Sequence, residues 1–292
     1  MPSSEIIHSY KEIEELLLGS NLSFDNLKYL AKEVSANSWS PISQFTVGAV
    51  VVGIDQNKKP KVFSGTNVEP TVSLTVCAER VAIFNGISAG YKKFIALAVC
   101  CPKALEKNTQ DIELNKLTPC GACREVILQK LDPKGIIIID GTDRTFTPKE
   151  LLPHPILDPN KLRGLTIEEM DTLDLARNAL HNAHVPFTKE KYGVAILTES
   201  RDKFHACTLD SASIGCSSEP LKAVFGTYTS KGGLKNDKIK AIAFAFPFVK
   251  YPPGDTLQLI VDHCESKTKI IIDNMGVTTI EELLPWAFKL TP

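Results

Sequence analysis

Apolar and polar positions along the chain switch between a strand period and a helix period, and they do so in the same order twice. In the first half a helical pattern near Phe24 to Ala36 precedes apolar strand candidates at Phe45 to Gly53 and Lys61 to Gly65. A helix opening near Cys77, a strand at Phe94 to Cys101, a helix opening near Gly121 and a strand at Gly135 to Asp140 follow. The second half repeats the order. Its helix lies near Glu168 to Asn182, its strands at Tyr192 to Thr198, Lys203 to Leu209, Ile239 to Phe246 and Lys269 to Asp273, and further helices start near Ser218 and Asp255. Strands alternating with helices in this way predict an α/β domain with at least partly parallel strands, present in two copies.

Short matches tie the copies together. Thr147-Pro148-Lys149-Glu150-Leu151-Leu152-Pro153 answers Thr279-Ile280-Glu281-Glu282-Leu283-Leu284-Pro285, and Ala78-Glu79 answers Ser218-Glu219 ahead of a similar apolar helix. The copies then meet between Pro155 and Leu165, where Pro155, Pro159 and Gly164 gather as linker residues. We place the boundary near Asn160, giving domains 1–160 and 161–292. A length of 292 residues agrees, being more than one domain of ordinary size holds.

Charge narrows the function classes. Lys plus Arg number 33 against 34 Asp plus Glu, a net charge of -1, so the chain carries no electrostatic footprint for a nucleic acid. Met1 to Gly19 has Glu5, Glu12, Glu14 and Glu15 among its apolar residues, unlike a signal peptide, and no apolar stretch reaches bilayer length. These features predict a soluble, cytoplasmic protein with no membrane partner. In a reducing compartment its eight cysteines are better read as metal ligands or core residues than as disulfides.

Cys120-Gly121-Ala122-Cys123 is a Cys-x-x-Cys, which alone could be a redox pair, half of a structural zinc site or part of a catalytic one. Thr118-Pro119 precedes it and a helical segment from Arg124 to Leu131 follows, so both thiols sit at a helix N-terminus, where the dipole favours thiolates. Cys77-Ala78-Glu79-Arg80 opens another helix. Three protein ligands with one position left open is the arrangement of a catalytic zinc, whereas structural sites close all four. Glu79 beside such a site has the position of a proton shuttle, and Cys-Ala-Glu followed by Pro-Cys-Gly-Ala-Cys is the order of ligands found in zinc deaminases.

Here the chain resembles the cytidine deaminases, over about Pro41 to Leu131. Ser43-Gln44-Phe45-Thr46-Val47-Gly48-Ala49 matches the segment that opens that family's first strand, and Asn67-Val68-Glu69 stands where the family has an Asn-x-Glu. The resemblance implies a three-layer α/β/α domain with a mixed five-stranded sheet, duplicated here. It implies one Zn2+ per chain on Cys77, Cys120 and Cys123, with zinc-activated hydroxide attacking C4 of cytidine or deoxycytidine and Glu79 relaying protons, to give uridine or deoxyuridine and ammonia in pyrimidine salvage. It further implies that Phe45 packs on the pyrimidine, that Asn67 and Glu69 bind the sugar hydroxyls, and that the Ala78 amide and Thr118 carbonyl meet the base. Three thiolates leave zinc with a net charge of -1, which weakens it as a Lewis acid; in three-cysteine relatives an arginine after the glutamate bonds the sulfurs, a role the resemblance gives to Arg80. Two-domain relatives pair as homodimers, so the resemblance implies a homodimer, with Phe288 a candidate to close a neighbour's pocket. The aromatic that the family often has near His154 is absent.

In the second half Pro252-Pro253-Gly254-Asp255-Thr256 takes the place of Pro119 to Cys123, so both later ligands are gone. Aligned by sequence, Glu219 stands for Glu79, Ser217 for Cys77 with Cys216 one position off, Glu190 for Phe45, and Cys207 and Leu209 fall near Asn67 and Glu69. This half is expected to be metal-free and non-catalytic. Cys100, Cys101, Cys207 and Cys264 read as core, His181 and His184 as helix-end or surface residues, and Ser230-Lys231-Gly232-Gly233 as a turn, since it lacks the Gly-Lys-Ser/Thr ending of a phosphate loop. Two alternatives remain: a zinc deaminase of another aminopyrimidine, whether nucleotide, modified nucleoside or cytosine in RNA or DNA, and a structural zinc-binding module without catalysis.

Overall fold

The computed structural model describes residues 10–71, 74–105, 113–213, 217–233 and 237–289, so Glu5 and Cys216 lie outside the described residues. The chain divides into two compact units, Met1–Leu152 together with Trp286–Pro292, and Pro153–Pro285. The division thus precedes the Pro155 to Leu165 stretch, and the last residues return to the first unit.

In the first unit α1 (Tyr10–Leu18) and α2 (Phe24–Ser35) lead into the hairpin β1 (Gly48–Ile54) and β2 (Pro60–Thr66). Then come α3 (Ala78–Ser88), β3 (Lys93–Cys100), α4 (Pro102–Leu105), α5 (Gly121–Lys130), β4 (Leu131–Ile139), β5 (Thr145–Phe146) and α6 (Pro148–Leu151). The sheet runs β2-β1-β3-β4-β5, with β3 and β4 parallel and the other pairs antiparallel. Central β1 is buried along its whole length, which is why it reads as an unbroken apolar run and not as an alternation. Ala49 and Val51 pack with α3, α5 and α6 on one face, and Val50, Val52 and Ile54 with α1 and α2 on the other.

The second unit repeats the plan with α7 (Ile167–His181), β6 (Gly193–Thr198), β7 (Lys203–Cys207), α8 (Pro220–Ser230), β8 (Ile239–Ala245), α9 (Gly254–His263), β9 (Lys269–Ile272), β10 (Gly276–Thr278) and α10 (Ile280–Leu283). Its sheet order is β10-β9-β8-β6-β7, with β8 and β9 the parallel pair. The expected duplicated α/β architecture, with two mixed five-stranded sheets, is therefore what the chain forms. Both Thr147 and Thr279 cap their short helices with a reciprocal Thr–Glu box, which is why those segments read alike in sequence. The edge strands β5 and β10 are too short to carry a period. The first strand begins at Gly48, three residues' alternation later than its apolar run, because Gln44 turns the chain at φ 54.

Close backbone approach places the site-bearing helix. A Cβ on Gly65 would lie 2.3 Å from the Ala82 amide nitrogen and 2.5 Å from the Ala78 carbonyl oxygen, both on α3. Neither atom can yield without moving the helix. Gly65→Ala is therefore expected to destabilise the fold at or above the top of the ~1–3 kcal/mol overpacking range. A denaturation midpoint equal to that of the wild type would contradict the packing described.

Candidate active site

Cys77 and Cys120 are the N-cap residues of α3 and α5, and Cys123 lies in the first turn of α5. Neither N-cap side chain bonds its own helix, so the sulfurs face the space into which both helix N-termini point. The three sulfurs lie within 4.8 Å of one another, with Cys77 and Cys120 3.8 Å apart. Among the described residues this is the one such group of three metal-ligand side chains.

Hydrogen bonding from Cys120, then from Cys123, draws the Cys77 thiol down to about 2, with the Arg80 charge assisting. The Cys123 thiol is held well above its ordinary range by its bonds to Cys120 and Cys77 and by burial. One thiolate forms readily; three together need a cation. Three thiol donors with a fourth direction left to the cavity suit zinc, a borderline-soft ion that takes tetrahedral sulfur sites. The donor set therefore fits the metal.

Arg80 places Nη2 3.6 Å from the Cys77 sulfur and 3.4 Å from the Thr75 carbonyl oxygen. Its Nε is buried without a partner. Glu79 is 4% exposed, and burial, followed by the charge of Cys77, raises its carboxyl to about 7. A carboxyl near neutrality can both take and give a proton.

These groups open onto a cavity of about 190 Å³ lined by Phe45, Asn67, Glu69, Glu79, Thr118 and Phe288, among others. Val47, Val99, Cys101 and Leu117 add an apolar wall. Cys101 is core, as expected, at 4% exposure, and just beyond the end of β3 it also forms part of the cavity wall. Asn67 accepts at Oδ1 from the Val47 amide (2.8 Å) and the Ser38 hydroxyl (2.6 Å) and donates from Nδ2 to the Phe45 carbonyl oxygen (2.8 Å). Glu69 Oε2 accepts from the Ile42 (3.2 Å) and Ser43 (2.9 Å) amides, and Oε1 from the Ser43 hydroxyl (2.6 Å). Both residues therefore hold the turn that aims Phe45. Phe288 comes from the same chain, its ring 5.9 Å from that of Phe45, which corrects the expectation that it closes a neighbour's pocket.

The second unit closes the corresponding place on itself. Val68 bridges Val76 before α3, and Leu209 bridges Ser218 before α8, so Glu219 occupies the N-cap place of Cys77. The sequence pairing of Glu219 with Glu79 is therefore two residues out, Leu221 answering to Glu79; the repeated small-residue–Glu pair outweighed the backbone register. By the same register Asn67 and Glu69 answer to Thr208 and Asp210, not Cys207 and Leu209, and Asp210 holds Thr188 as Glu69 holds Ser43. Glu219 accepts from the Leu221 (3.1 Å) and Lys222 (2.8 Å) amides and from the Tyr192 and Thr256 hydroxyls, both at 3.0 Å. Pro253 and Thr256 fill the places of Cys120 and Cys123. Cys207 and Cys264 are half-buried and not core. Glu219→Leu strands two helix amides and two hydroxyls, and is expected to cost roughly 2–4 kcal/mol. Zinc content should not change. A loss of zinc in this variant would place metal in the second unit.

Residues 25–139, which contain all three cysteines, match the family described as the cytidine and deoxycytidylate deaminase zinc-binding region. A cytidine deaminase of Vibrio vulnificus (strain YJ016) is 27% identical over 226 residues, 72% of this chain and 70% of that protein. One of Sporosarcina psychrophila is 36% identical over 100 residues, 34% of this chain and 63% of its own. The solved structure of cytidine deaminase from Burkholderia pseudomallei shares 34% of its sequence, covering 45% of this chain and 97% of that one, with a TM-score of 0.38. No helix among the described residues is long and apolar enough to cross a membrane. With the cytidine and deoxycytidylate deaminase zinc-binding region matched across all three cysteines, and curated relatives that are cytidine deaminases, the chain is similar to the cytidine deaminases, and its three-cysteine cluster fits their zinc site.

Proposed function

We propose that this chain hydrolyses the exocyclic amine of cytidine and deoxycytidine, converting nucleoside and water to uridine or deoxyuridine and ammonia. The observation that carries the reading is the buried Glu79 carboxyl opening on the same cavity as three convergent thiols. Held by Cys77, Cys120 and Cys123, zinc would supply a water that ionises near neutral pH. The Glu79 carboxyl is placed to take a proton from the attacking water, to deliver it to N3 of the pyrimidine, and to pass the second proton to the amine as it departs as ammonia. Burial keeps bulk water from short-circuiting these transfers. Arg80, against the Cys77 sulfur, offsets the excess negative charge of three thiolates.

Phe45 offers a face to the pyrimidine, while the Ala78 amide, the first of α3, donates to the base carbonyl and the Thr118 carbonyl accepts from the exocyclic amine. Asn67 and Glu69 take the sugar, with a ribose hydroxyl replacing the Ser43 hydroxyl on Glu69 Oε1. None of the described residues lining the cavity is Lys or Arg, which favours a nucleoside over a nucleotide. The second half acts as a non-catalytic partner domain, and the chain works as a cytoplasmic homodimer. The test is turnover of cytidine, deoxycytidine, deoxycytidine monophosphate and a cytosine oligonucleotide, read by loss of ultraviolet absorbance. The first two should react and the last two should not. Preference for the monophosphate would overturn the substrate assignment.

A further inference from the structure

Arg124, the residue after the last cysteine of the trio, is 1% exposed. Its Nε donates to the Pro119 carbonyl oxygen and Nη1 to that of Leu151, both at 2.7 Å. Its Nη2 donates to the Trp286 carbonyl oxygen at 2.7 Å and to the Thr118 hydroxyl at 3.0 Å. The Thr118 hydroxyl in turn donates to the same Trp286 carbonyl at 2.6 Å. One guanidinium thus grips the turn leading into Cys120, the end of α6, and the chain's last described segment.

That segment carries Phe288 to the cavity. Trp286 lies edge-on to Phe146, with ring centroids 5.6 Å apart, and under the Arg144 guanidinium at 4.6 Å, while the Lys289 amide donates to the Asn115 carbonyl at 2.9 Å. These contacts bracket Phe288 and leave its ring against Phe45. Only a planar fork with donors on three nitrogens reaches all three carbonyls; a lysine ammonium at the same place cannot.

The fold itself does not call for this arginine. The matching helix α9 begins at Gly254 as α5 begins at Gly121, has the same length, and places Leu257, 2% exposed, where α5 has Arg124. A buried guanidinium is costly to desolvate. It occurs in the unit with the cavity, where an apolar residue serves the other.

We propose that Arg124 is a positioning residue that fastens the chain's C-terminal segment to the turn before Cys120, so that Phe288 closes the pocket of its own chain over the bound base. The role rests on the nucleoside reading for its substrate, but tail docking itself can be read without substrate. In a Trp39→Phe chain Trp286 is the sole tryptophan, and its quenching by acrylamide reports whether the segment is docked. Adding Arg124→Lys should make Trp286 more accessible, raise KM for cytidine roughly tenfold, the worth of one aromatic face on a base, and leave kcat and zinc content close to the parent's. Phe288→Ala should raise KM alike, and the double variant should be within about twofold of either single one, as for two residues acting through one contact. If Arg124→Lys does not fold, Arg124→Gln, which keeps two donors, replaces it in the same cycle. Unchanged quenching and KM, additive effects in the double variant, or a fall in kcat or zinc at constant KM would each overturn the assignment. Turnover of no cytosine nucleoside, with Trp286 released as described, would count against the deaminase reading alone.

Discussion

Glu79→Gln is expected to lower cytidine turnover by about 10³-fold or more, within the range for losing a general acid–base group that serves both proton transfers, while the chain keeps its zinc. Glutamine preserves the shape of a side chain that is 4% exposed, so the cavity and the trio should stand as they are. What it removes is a group that can give up a proton. An amide cannot collect one from water and hand it to a ring nitrogen, and at this depth no bulk water can substitute. The decisive comparison is turnover and metal content on the same samples. A variant that retained a tenth of wild-type activity would mean that another group shuttles the proton, and Glu79 would be reduced to shaping the pocket.

Cys123→Ser should abolish both metal binding and turnover without unfolding the chain. Cys123 is fully buried, so in most proteins a hydroxyl there would be an unsatisfied polar group. The second unit shows why it is tolerable here: Thr256 occupies the same turn at the start of α9, fully buried, with its hydroxyl bonded to the residue standing where Cys77 stands. A serine can make the like bond to Cys77. A neutral hydroxyl is a poor substitute for thiolate, however, and a zinc site reduced to two sulfurs loses the folding-linked affinity that all three supply. Circular dichroism like the wild type's, with no bound zinc, is the expected pair of results. Full zinc occupancy in this variant would show that Cys123 is not a ligand.

The chemistry of the candidate site was legible in the sequence because it is local. Cys77 and Cys120 are N-caps, Cys123 lies in a first helical turn, and an N-terminus leaves its mark within a few residues. The strands were legible for the opposite reason: β1, β3 and the Gly135 to Ile139 part of β4 are buried on both faces, and such strands read as unbroken apolar runs. What escaped is what depends on distant partners. Arg124 follows a cysteine on a helix, and nothing nearby reveals that its donors reach Leu151 and Trp286. Phe288 could be assigned a pocket but not whose, since the return of the last residues to the first unit has no local signature. The register of the second copy slipped by two at this helix because Ser218-Glu219 imitates Ala78-Glu79, whereas the bridge between Leu209 and Ser218 that fixes the alignment forms across a loop and leaves no mark in the local pattern. Asn67 and Glu69 were assigned to the sugar by resemblance, and their hold on the Phe45 turn was not visible in spacing. The Asp210–Thr188 pair repeats that hold where the ligands are gone, so the carboxylate's first duty is to the loop.

The central claim is one zinc per chain, bound by three sulfurs in the first unit with its remaining position open, while the second unit has closed its counterpart around Glu219. X-ray absorption at the zinc edge, on protein whose metal content has been counted, tests it most directly. The account predicts one zinc per chain with three sulfur neighbours and one light-atom neighbour that is exchanged when a cytosine-nucleoside analogue binds. Four protein ligands, unchanged by any such analogue, would make the site structural and contradict the account.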